Sequence, residues 1–398
     1  MEQNRRFTAC KSKIMNLKPK MQISTKCVHS GGIPDKYSGG INSPIFTSSA
    51  NEYLDREEAP YPRYFNISNQ AAVAEKLASL ESGEEGIVFS SGMAAITTSL
   101  LAFVKAGDHV VFQDEIYGGS HAFIEEHFDR IGIRYSLVGS DVSDFEEAIT
   151  PETKAIYIET PTNPLLTIID IRRIAKLAAK HKCLSFIDGT FATPINQKPL
   201  DLGIDVVVHS GTKYFGGHSD LCSGAVITRK SLAEKIRKTA VCYGGSLNAI
   251  DCYLLERSLK TLALRVEKQS RNALEIAQFL NDITDIKKVN YPGLENHPGH
   301  AIAKKQMTGF GAMLSFEIGN PKLNAFDYMK RLKLVKPAVS LGGVETTICD
   351  PATTSHAKVS AEVRQRMGIT DGLLRLSVGI EDVEDIKQDL ADALASTF

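Results

Sequence analysis

The stretch LSFIDGTFATPINQKPLDLGIDVVVHSGTKYFGGHSDLCSGAVITRK, residues 184–230, decides the architecture. It holds three short apolar runs, LSFID, IDVVVHS and GAVITRK, too short for helices and rich in Val and Ile. Such runs read as strands buried on both faces of a sheet. The first ends on Asp188 and the second on His209 and Ser210, followed at once by Thr212 and a single lysine, Lys213. Charged groups at such places are expensive to desolvate without a partner. In largely parallel sheets, the carboxyl ends of the strands are also where ligands sit.

Working outward, the same alternation continues. Strand-like GIVFS (86–90), DHVVFQ (108–113), RYSLVG (134–139) and KAIYIET (154–160) are separated by helix-like segments at 71–81, 91–104, 118–132 and 169–182. The pattern predicts an α/β fold with a mainly parallel sheet between helices. A long helical stretch at 249–280 then reads as a spine to a second lobe. That lobe is predicted from AMLSFEI (312–318), a helix at 325–332, strand-like KPAVSLGG (336–343), LLRLSVGI (373–380) and a terminal helix at 383–394, which together suggest a smaller C-terminal α+β domain. The expected division is an N-terminal arm over 1–64, a cofactor-binding domain over 65–262 and a C-terminal domain over 263–398.

The bulk composition narrows the function. With 46 basic against 47 acidic side chains, the chain has neither the charge of a general nucleic-acid binder nor that of a polybasic membrane-surface protein. No apolar run approaches the roughly 20 residues needed to span a bilayer. The seven cysteines, at 10, 27, 183, 222, 242, 252 and 349, form no C-x-x-C pair, so they read as free thiols of a reducing compartment, each acting as a small buried hydrophobe. The first twenty residues carry six Lys or Arg and one acid, without the apolar core of a secretory signal, and read as a flexible cytoplasmic arm. There is no P-loop, no H-E-x-x-H and no complete G-x-G-x-x-G. His209 and His218 read as loop-holding residues, not metal ligands.

Two chemistries compete for Lys213. Ser210-x-x-Lys213 matches the S-x-x-K of serine acyl-enzymes, but that family also needs S-D-N and K-T-G; here Ser219-Asp220-Leu221 stands in place of the former and the latter is missing. The alternative is a Schiff-base lysine that bonds the aldehyde of pyridoxal phosphate. That chemistry needs a carboxylate for the ring nitrogen, phosphate donors, a stacking aromatic and an arginine for a substrate carboxylate. The candidates are Asp188; the Ser91-Gly92-Met93 turn with Ser210 and Thr212; Tyr117; and Arg375. A helix N-terminus such as the one opened by Ser91-Gly92-Met93 suits an anion.

These residues carry a resemblance. Tyr61-Pro62-Arg63, Ser90-Ser91-Gly92-Met93, Tyr117-Gly118-Gly119, Glu159-Thr160-Pro161-Thr162-Asn163-Pro164, Asp188-Gly189-Thr190, His209 to Asp220, Ser340-Leu341-Gly342-Gly343 and Arg375-Leu376-Ser377-Val378-Gly379 stand in order. From residue 24 onward the chain resembles the Cys/Met-metabolism (trans-sulfuration) family of fold-type-I pyridoxal-phosphate enzymes, which includes cystathionine γ- and β-lyases, methionine γ-lyase and synthase relatives. The resemblance implies that Lys213 bonds the cofactor and then shuttles protons. It assigns Asp188 to the ring nitrogen and Tyr117 to stacking and acid–base work. Gly92, Met93, Ser210 and Thr212 would bind phosphate, and Arg375 with Asn163, Ser340 and Leu341 would hold the substrate carboxylate. Tyr61 and Arg63 would reach the phosphate in a neighbouring subunit, which implies a dimer doubled to a homotetramer.

The chain departs from the family pattern at several places. Gly189 stands where Asn is customary, and Asn66-Ile67 where Asn-Pro is usual. Gly119 replaces the Cys of methionine γ-lyases, and Val339 replaces the Glu of animal-type cystathionine γ-lyases. A Glu beside the pocket attracts the distal ammonium of cystathionine; Val favours an apolar tail. One such contact is worth about 1–3 kcal/mol of discrimination. The expected reaction is elimination across a C–S bond of cystathionine or a related thioether, giving a thiol, ammonia and a 2-oxo acid. Methionine γ-lyase and a γ-replacement synthase are the alternatives. A pyridoxal carrier without turnover would not need Lys213, Asp188 and Arg375 together, and an aminotransferase would lack the Tyr61/Arg63 and Ser340–Gly343 markers.

Overall fold

The computed structural model describes residues 21–395 except Arg56, Pro321, His356 and 358–360, so the basic first twenty residues and Cys10 lie outside the described residues. Seven strands form the larger sheet: β1 (Glu85–Phe89), β2 (His109–Gln113), β3 (Arg134–Val138), β4 (Thr153–Glu159), β5 (Leu184–Asp188), β6 (Val206–Ser210) and β7 (Gly224–Thr228). Their spatial order is β1-β7-β6-β5-β4-β2-β3. All pairs are parallel except those of β7, which runs antiparallel to β1 and to β6. Every run expected to be a strand in this half of the chain is one.

Helices cover both faces, which is why β2 and β7 are buried along their whole length. The helix Ile171–His181 shows how the covering works. Asp170 caps it, accepting from the Arg173 N–H at 3.1 Å, and Ile171, Ile174, Ala175 and Ala178 form the buried face at i, i+3, i+4 and i+7. On the other face, Ile96 and Leu100 of the helix Gly92–Leu101 pack with Phe112, Phe186 and Val208.

The second sheet comprises β8 (Ile286–Asn290), β9 (Met313–Ile318), β10 (Lys336–Pro337), β11 (Thr347–Cys349) and β12 (Leu373–Ser377), in the order β10-β11-β12-β9-β8. It is antiparallel apart from β10–β11. Helices Leu262–Asn281 and Val383–Ala395 close its core through Ile276, Leu280, Ile386 and Leu390.

Several expectations are corrected. The spine is two helices, Ala249–Leu259 and Leu262–Asn281. The break follows because the Ser258 carbonyl accepts from Thr261 Oγ1 at 3.1 Å and from Arg265 Nη2 at 2.9 Å. KPAVSLGG contributes only Lys336–Pro337 to a strand; Val339 is 71% exposed and Ser340 turns the chain with φ of 73°. Strand β8 was not anticipated, since Lys287 and Lys288 interrupt its apolar pattern with exposed side chains. The reading of all cysteines as buried fails at Cys222 and Cys242: both are exposed, the first in the loop after Lys213 and the second near the end of helix Lys230–Tyr243. All six described cysteines are free.

Candidate active site

The carboxyl ends of β4, β5 and β6 deliver Glu159, Asp188 and Ser210 to one pocket of about 430 Å³. Its remaining walls come from the start of the helix Gly92–Leu101, from Tyr117, from the second sheet through Arg375 and from the loop after β10 through Ser340. Two sheets therefore meet in one site.

Ser91 is the N-cap of its helix: its backbone is extended and its hydroxyl accepts from the Ala94 N–H at 3.0 Å. That cap leaves the N–H groups of Gly92 and Met93 to the pocket, the arrangement that receives an anion. Gly92 lies so close to β6 that a Cβ there would sit 2.9 Å from Ser210 Cβ. Ser210 is fixed by its N–H, which donates to Thr190 Oγ1 at 2.8 Å. Thr212 Oγ1 accepts from the Ser223 N–H at 3.0 Å. The result is a narrow cradle of N–H and O–H groups.

Asp188 accepts from the Thr190 N–H at 2.9 Å and is 6% exposed. Burial pushes its carboxyl above the usual carboxylate range, opposed by the Thr190 hydrogen bonds and by the charges of His209 and Lys213. A ring nitrogen that carries a proton is the kind of partner such a carboxylate lacks.

Lys213 donates from Nζ to Ser340 Oγ at 2.7 Å. Burial lowers the affinity of its amine for protons, and the Arg375 guanidinium lowers it further. Arg375 itself is braced on both sides: Nη1 donates to Asn163 Oδ1 at 2.9 Å and Nη2 to the Ser340 carbonyl at 2.9 Å. Its Nε is buried without a hydrogen-bond partner. A fixed guanidinium with a spare donor in a pocket wall is suited to a carboxylate.

Of the residues singled out in the sequence, the pocket brings together Ser91, Gly92, Met93, Tyr117, Asn163, Asp188, Ser210, Thr212, Lys213, Val339, Ser340, Leu341 and Arg375. It does not include Tyr61 or Arg63. Arg63 instead donates to the Val241 carbonyl at 2.7 Å and lies against the Tyr61 and Tyr64 rings. Asn66 holds that turn in place, accepting from the Tyr61 N–H at 2.8 Å.

Glu159 and Thr190, quoted from the sequence as motif residues without a role, also line the pocket, as do Ile96, Phe191, Cys222, Thr354 and Ser355, which the sequence reading did not place in the site. Glu159 faces Asp188 directly in the β4–β5 register and accepts from the Tyr117 N–H at 2.8 Å. Burial first, and then the neighbouring Asp188, push its carboxyl well above the usual range, against hydrogen bonds from the Tyr117 and Asn163 N–H groups. Its signal was present: it ends an apolar strand just as Asp188 does.

The residues present fit pyridoxal phosphate: a free amine, a buried carboxylate, an anion cradle walled by Gly92 and an aromatic at the mouth. The chain matches the model of the Cys/Met metabolism PLP-dependent enzymes over residues 24–395. It is 45% identical over 378 residues to the cystathionine β-lyase of Lactococcus lactis subsp. cremoris, covering 94% of this chain and 98% of that one. It is 44% identical over 379 residues to the cystathionine γ-lyase of Bacillus subtilis, covering 94% and 99%. The crystal structure of cystathionine γ-lyase from Lactobacillus plantarum complexed with L-serine superposes with a TM-score of 0.91 at 42% identity, over 94% of this chain and 99% of that one. With site and comparisons in agreement, the chain belongs to the Cys/Met-metabolism PLP-dependent enzymes and is a carbon–sulfur lyase of sulfur amino-acid metabolism.

Proposed function

We propose that the chain cleaves cystathionine, or a closely related thioether amino acid, to a thiol, ammonia and a 2-oxo acid. One observation supports an α-amino acid as substrate, and the cystathionine-cleaving relatives supply the tail: Ser340 joins the two groups that the amino-acid head must meet. Its hydroxyl takes the Lys213 amine at 2.7 Å and its carbonyl takes Arg375 at 2.9 Å. A carboxylate gripped at Arg375 is thereby presented with its α-carbon toward a base.

Pyridoxal phosphate, when bound through Lys213, supplies the sink for the electron pair released at the substrate α-carbon. Asp188 would hold the proton of the ring nitrogen. The N–H groups of Gly92 and Met93, with Ser91, Ser210 and Thr212, would hold the phosphate. Tyr117 would cover the ring and exchange protons with the substrate. Lys213, released when the substrate amine takes its place on the cofactor and with its amine kept below the usual lysine range, would take the α-proton and return it further along the substrate. Asn163 and Arg375 hold the carboxylate, with Leu341 behind them; Val339 meets the tail.

The proposal extends to assembly. Tyr61 and Arg63 stand outside their own pocket, and the arm carries Tyr37, Ile41 and Leu54 at 102%, 100% and 84% exposure. An arm with such an apolar surface calls for a second copy, and a homotetramer built from pairs that share sites accounts for both facts. In that reading 1–64 is the arm, 65–262 the cofactor domain and 263–398 the C-terminal domain of a cytoplasmic enzyme. No helix among the described residues is long and apolar enough to cross a membrane.

The test is to add L-cystathionine to cofactor-loaded protein and identify the oxo acid. Pyruvate with homocysteine is the outcome of β-elimination, and 2-oxobutyrate with cysteine that of γ-elimination. Formation of neither overturns the proposed substrate and moves the reading to methionine cleavage or γ-replacement.

A further inference from the structure

Lys213 lies within a hydrogen-bonded turn after β6, in which the Gly216 N–H donates to the Gly211 carbonyl at 2.8 Å and the Gly217 N–H to the Lys213 carbonyl at 2.7 Å. Such a turn ends in carbonyls with no partner of their own. Here it ends inside the protein, with Tyr214 and Phe215 at 1% and 2% exposure. One side chain takes both carbonyls. Arg265, in the first turn of helix Leu262–Asn281, donates from Nη1 to Tyr214 at 2.8 Å and from Nη2 to Phe215 at 3.5 Å and Ser258 at 2.9 Å, while Nε donates to Thr261 Oγ1 at 3.1 Å.

Every nitrogen of this guanidinium is used, and every acceptor is neutral. Among the described residues no carboxylate is in ion-pair range of it, although it is only 5% exposed. Burial pulls its pKa down to about 10. A buried cation held by neutral carbonyls costs free energy that a hydrophobic side chain would not. The turn is also shaped around it: Gly217 has φ of 67°, and a Cβ there would come within 1.9 Å of Nη1.

The same helix face continues in polar side chains at positions where a core-facing helix is ordinarily apolar. Gln269, one turn on and fully buried, donates to the Gly343 carbonyl at 2.7 Å and to the Val378 carbonyl at 3.1 Å. Gly343 closes the Ser340 loop, and Val378 follows β12, which bears Arg375. Residues four apart share one face of a helix. Two neighbouring side chains of one rigid element thus hold the turn that carries the amine and the two segments that carry the carboxylate grip.

We propose that Arg265 and Gln269 are positioning residues that set the separation between the Lys213 amine and the Arg375 guanidinium. The inference rests on the reading of Lys213 as the residue that bonds the cofactor.

The test uses cofactor-loaded Arg265→Lys and Gln269→Leu, with Thr261→Val as a milder variant that removes the Nε acceptor and the hydroxyl's own bond to the Ser258 carbonyl. The readouts are the pH midpoint of the bound-cofactor absorbance, kcat and KM per bound cofactor, and the melting temperature. Arg265→Lys keeps the charge but cannot span two carbonyls. It is expected to move the absorbance midpoint by about half a pH unit or more and to lower kcat roughly tenfold. Gln269→Leu is expected to raise KM more than it lowers kcat. Should Arg265→Lys fail to fold, Thr261→Val is expected to shift the midpoint in the same assay by a smaller amount. Folded variants with lowered melting temperatures but unchanged midpoint, kcat and KM would mean ordinary structural residues and overturn the proposal. A wild type that shows no cofactor absorbance would overturn the reading of Lys213 instead.

Discussion

The Lys213 amine and the Ser340 hydroxyl meet at 2.7 Å across the join between the two sheets. Ser340 reaches this position with a left-handed backbone, φ of 73°, a conformation uncommon for a residue with a side chain. Such local strain persists where the surroundings impose it. Here they do: the neighbouring Gly342 N–H donates to Ser377 Oγ at 2.8 Å, and the Ser340 carbonyl is taken by Arg375.

Replacing Ser340 by Ala removes the acceptor of the lysine without emptying a core site. The expected effect is a loss of about tenfold in kcat, the size of one hydrogen bond to a charged group. Measured in the cofactor-free protein, the pH at which the amine captures pyridoxal phosphate should fall, because the charged form has lost a partner. An unchanged or raised midpoint would count against a direct role for this contact.

Arg375→Ala separates binding from chemistry. It leaves Lys213 and Asp188 in place but removes a charge-assisted grip, so KM should rise about 100-fold while the cofactor stays bound, its absorbance midpoint moved upward because the amine has lost a neighbouring positive charge. Arg375→Lys should recover little, since one ammonium cannot be braced by Asn163 and Ser340 together while facing a carboxylate. Steady-state kinetics with an absorbance spectrum of each variant decides the matter.

Gly119 bears on the stacking tyrosine. A Cβ there would lie 2.5 Å from Tyr117 Cε1 and 3.2 Å from Met93 Sδ, so Gly119→Cys must displace the ring. A shift of that kind is expected to cost on the order of tenfold or more in kcat for the wild-type substrate. The circular dichroism of the bound cofactor would report the displacement. A full-activity Gly119→Cys with wild-type dichroism would show that the ring has room to spare.

Lys213 also carries a pH signature. Burial and the Arg375 guanidinium hold its amine below the ordinary 10.5. In the cofactor-free protein the unfolded chain therefore binds this proton more readily than the folded one. Stability should rise with pH between the depressed folded value and 10.5, and the cost should be fully present below that window. Lys213→Met removes this cost, so its advantage over wild type should grow as pH falls through the window and then level off. Denaturant titrations of both proteins across that range are the check, and parallel curves would refute the account. The same variant should lose the cofactor absorbance and turnover altogether.

Much of the site was legible because its residues stand at predictable places. Asp188, Ser210 and Lys213 follow buried strands, Ser91 opens a helix, and Val/Ile runs of five residues are hard to read as anything else. What escaped has a physical reason in each case. Glu159 ends a strand as Asp188 does, but a single sequence does not show that the two face each other across a parallel register. Thr354 and Ser355 come from a loop with no periodicity, brought to the pocket by contacts far away in the chain. The direction of β7 was likewise hidden, since an antiparallel strand buried on both faces has the same composition as its parallel neighbours.

The braced guanidinium of Arg375 has a consequence for diversification. Every L-α-amino acid offers the same head group, and Asn163 and the Ser340 carbonyl have readied the seat for it before any ligand arrives. Recognition of the head is therefore blind to the length and branching of the tail. In the proposed reading the tail meets loop side chains such as Val339, Thr354 and Ser355, which line the pocket and bear no load in either sheet. Such positions are free to drift while the machinery stands still, so two enzymes of one build can come to break different bonds of a single molecule.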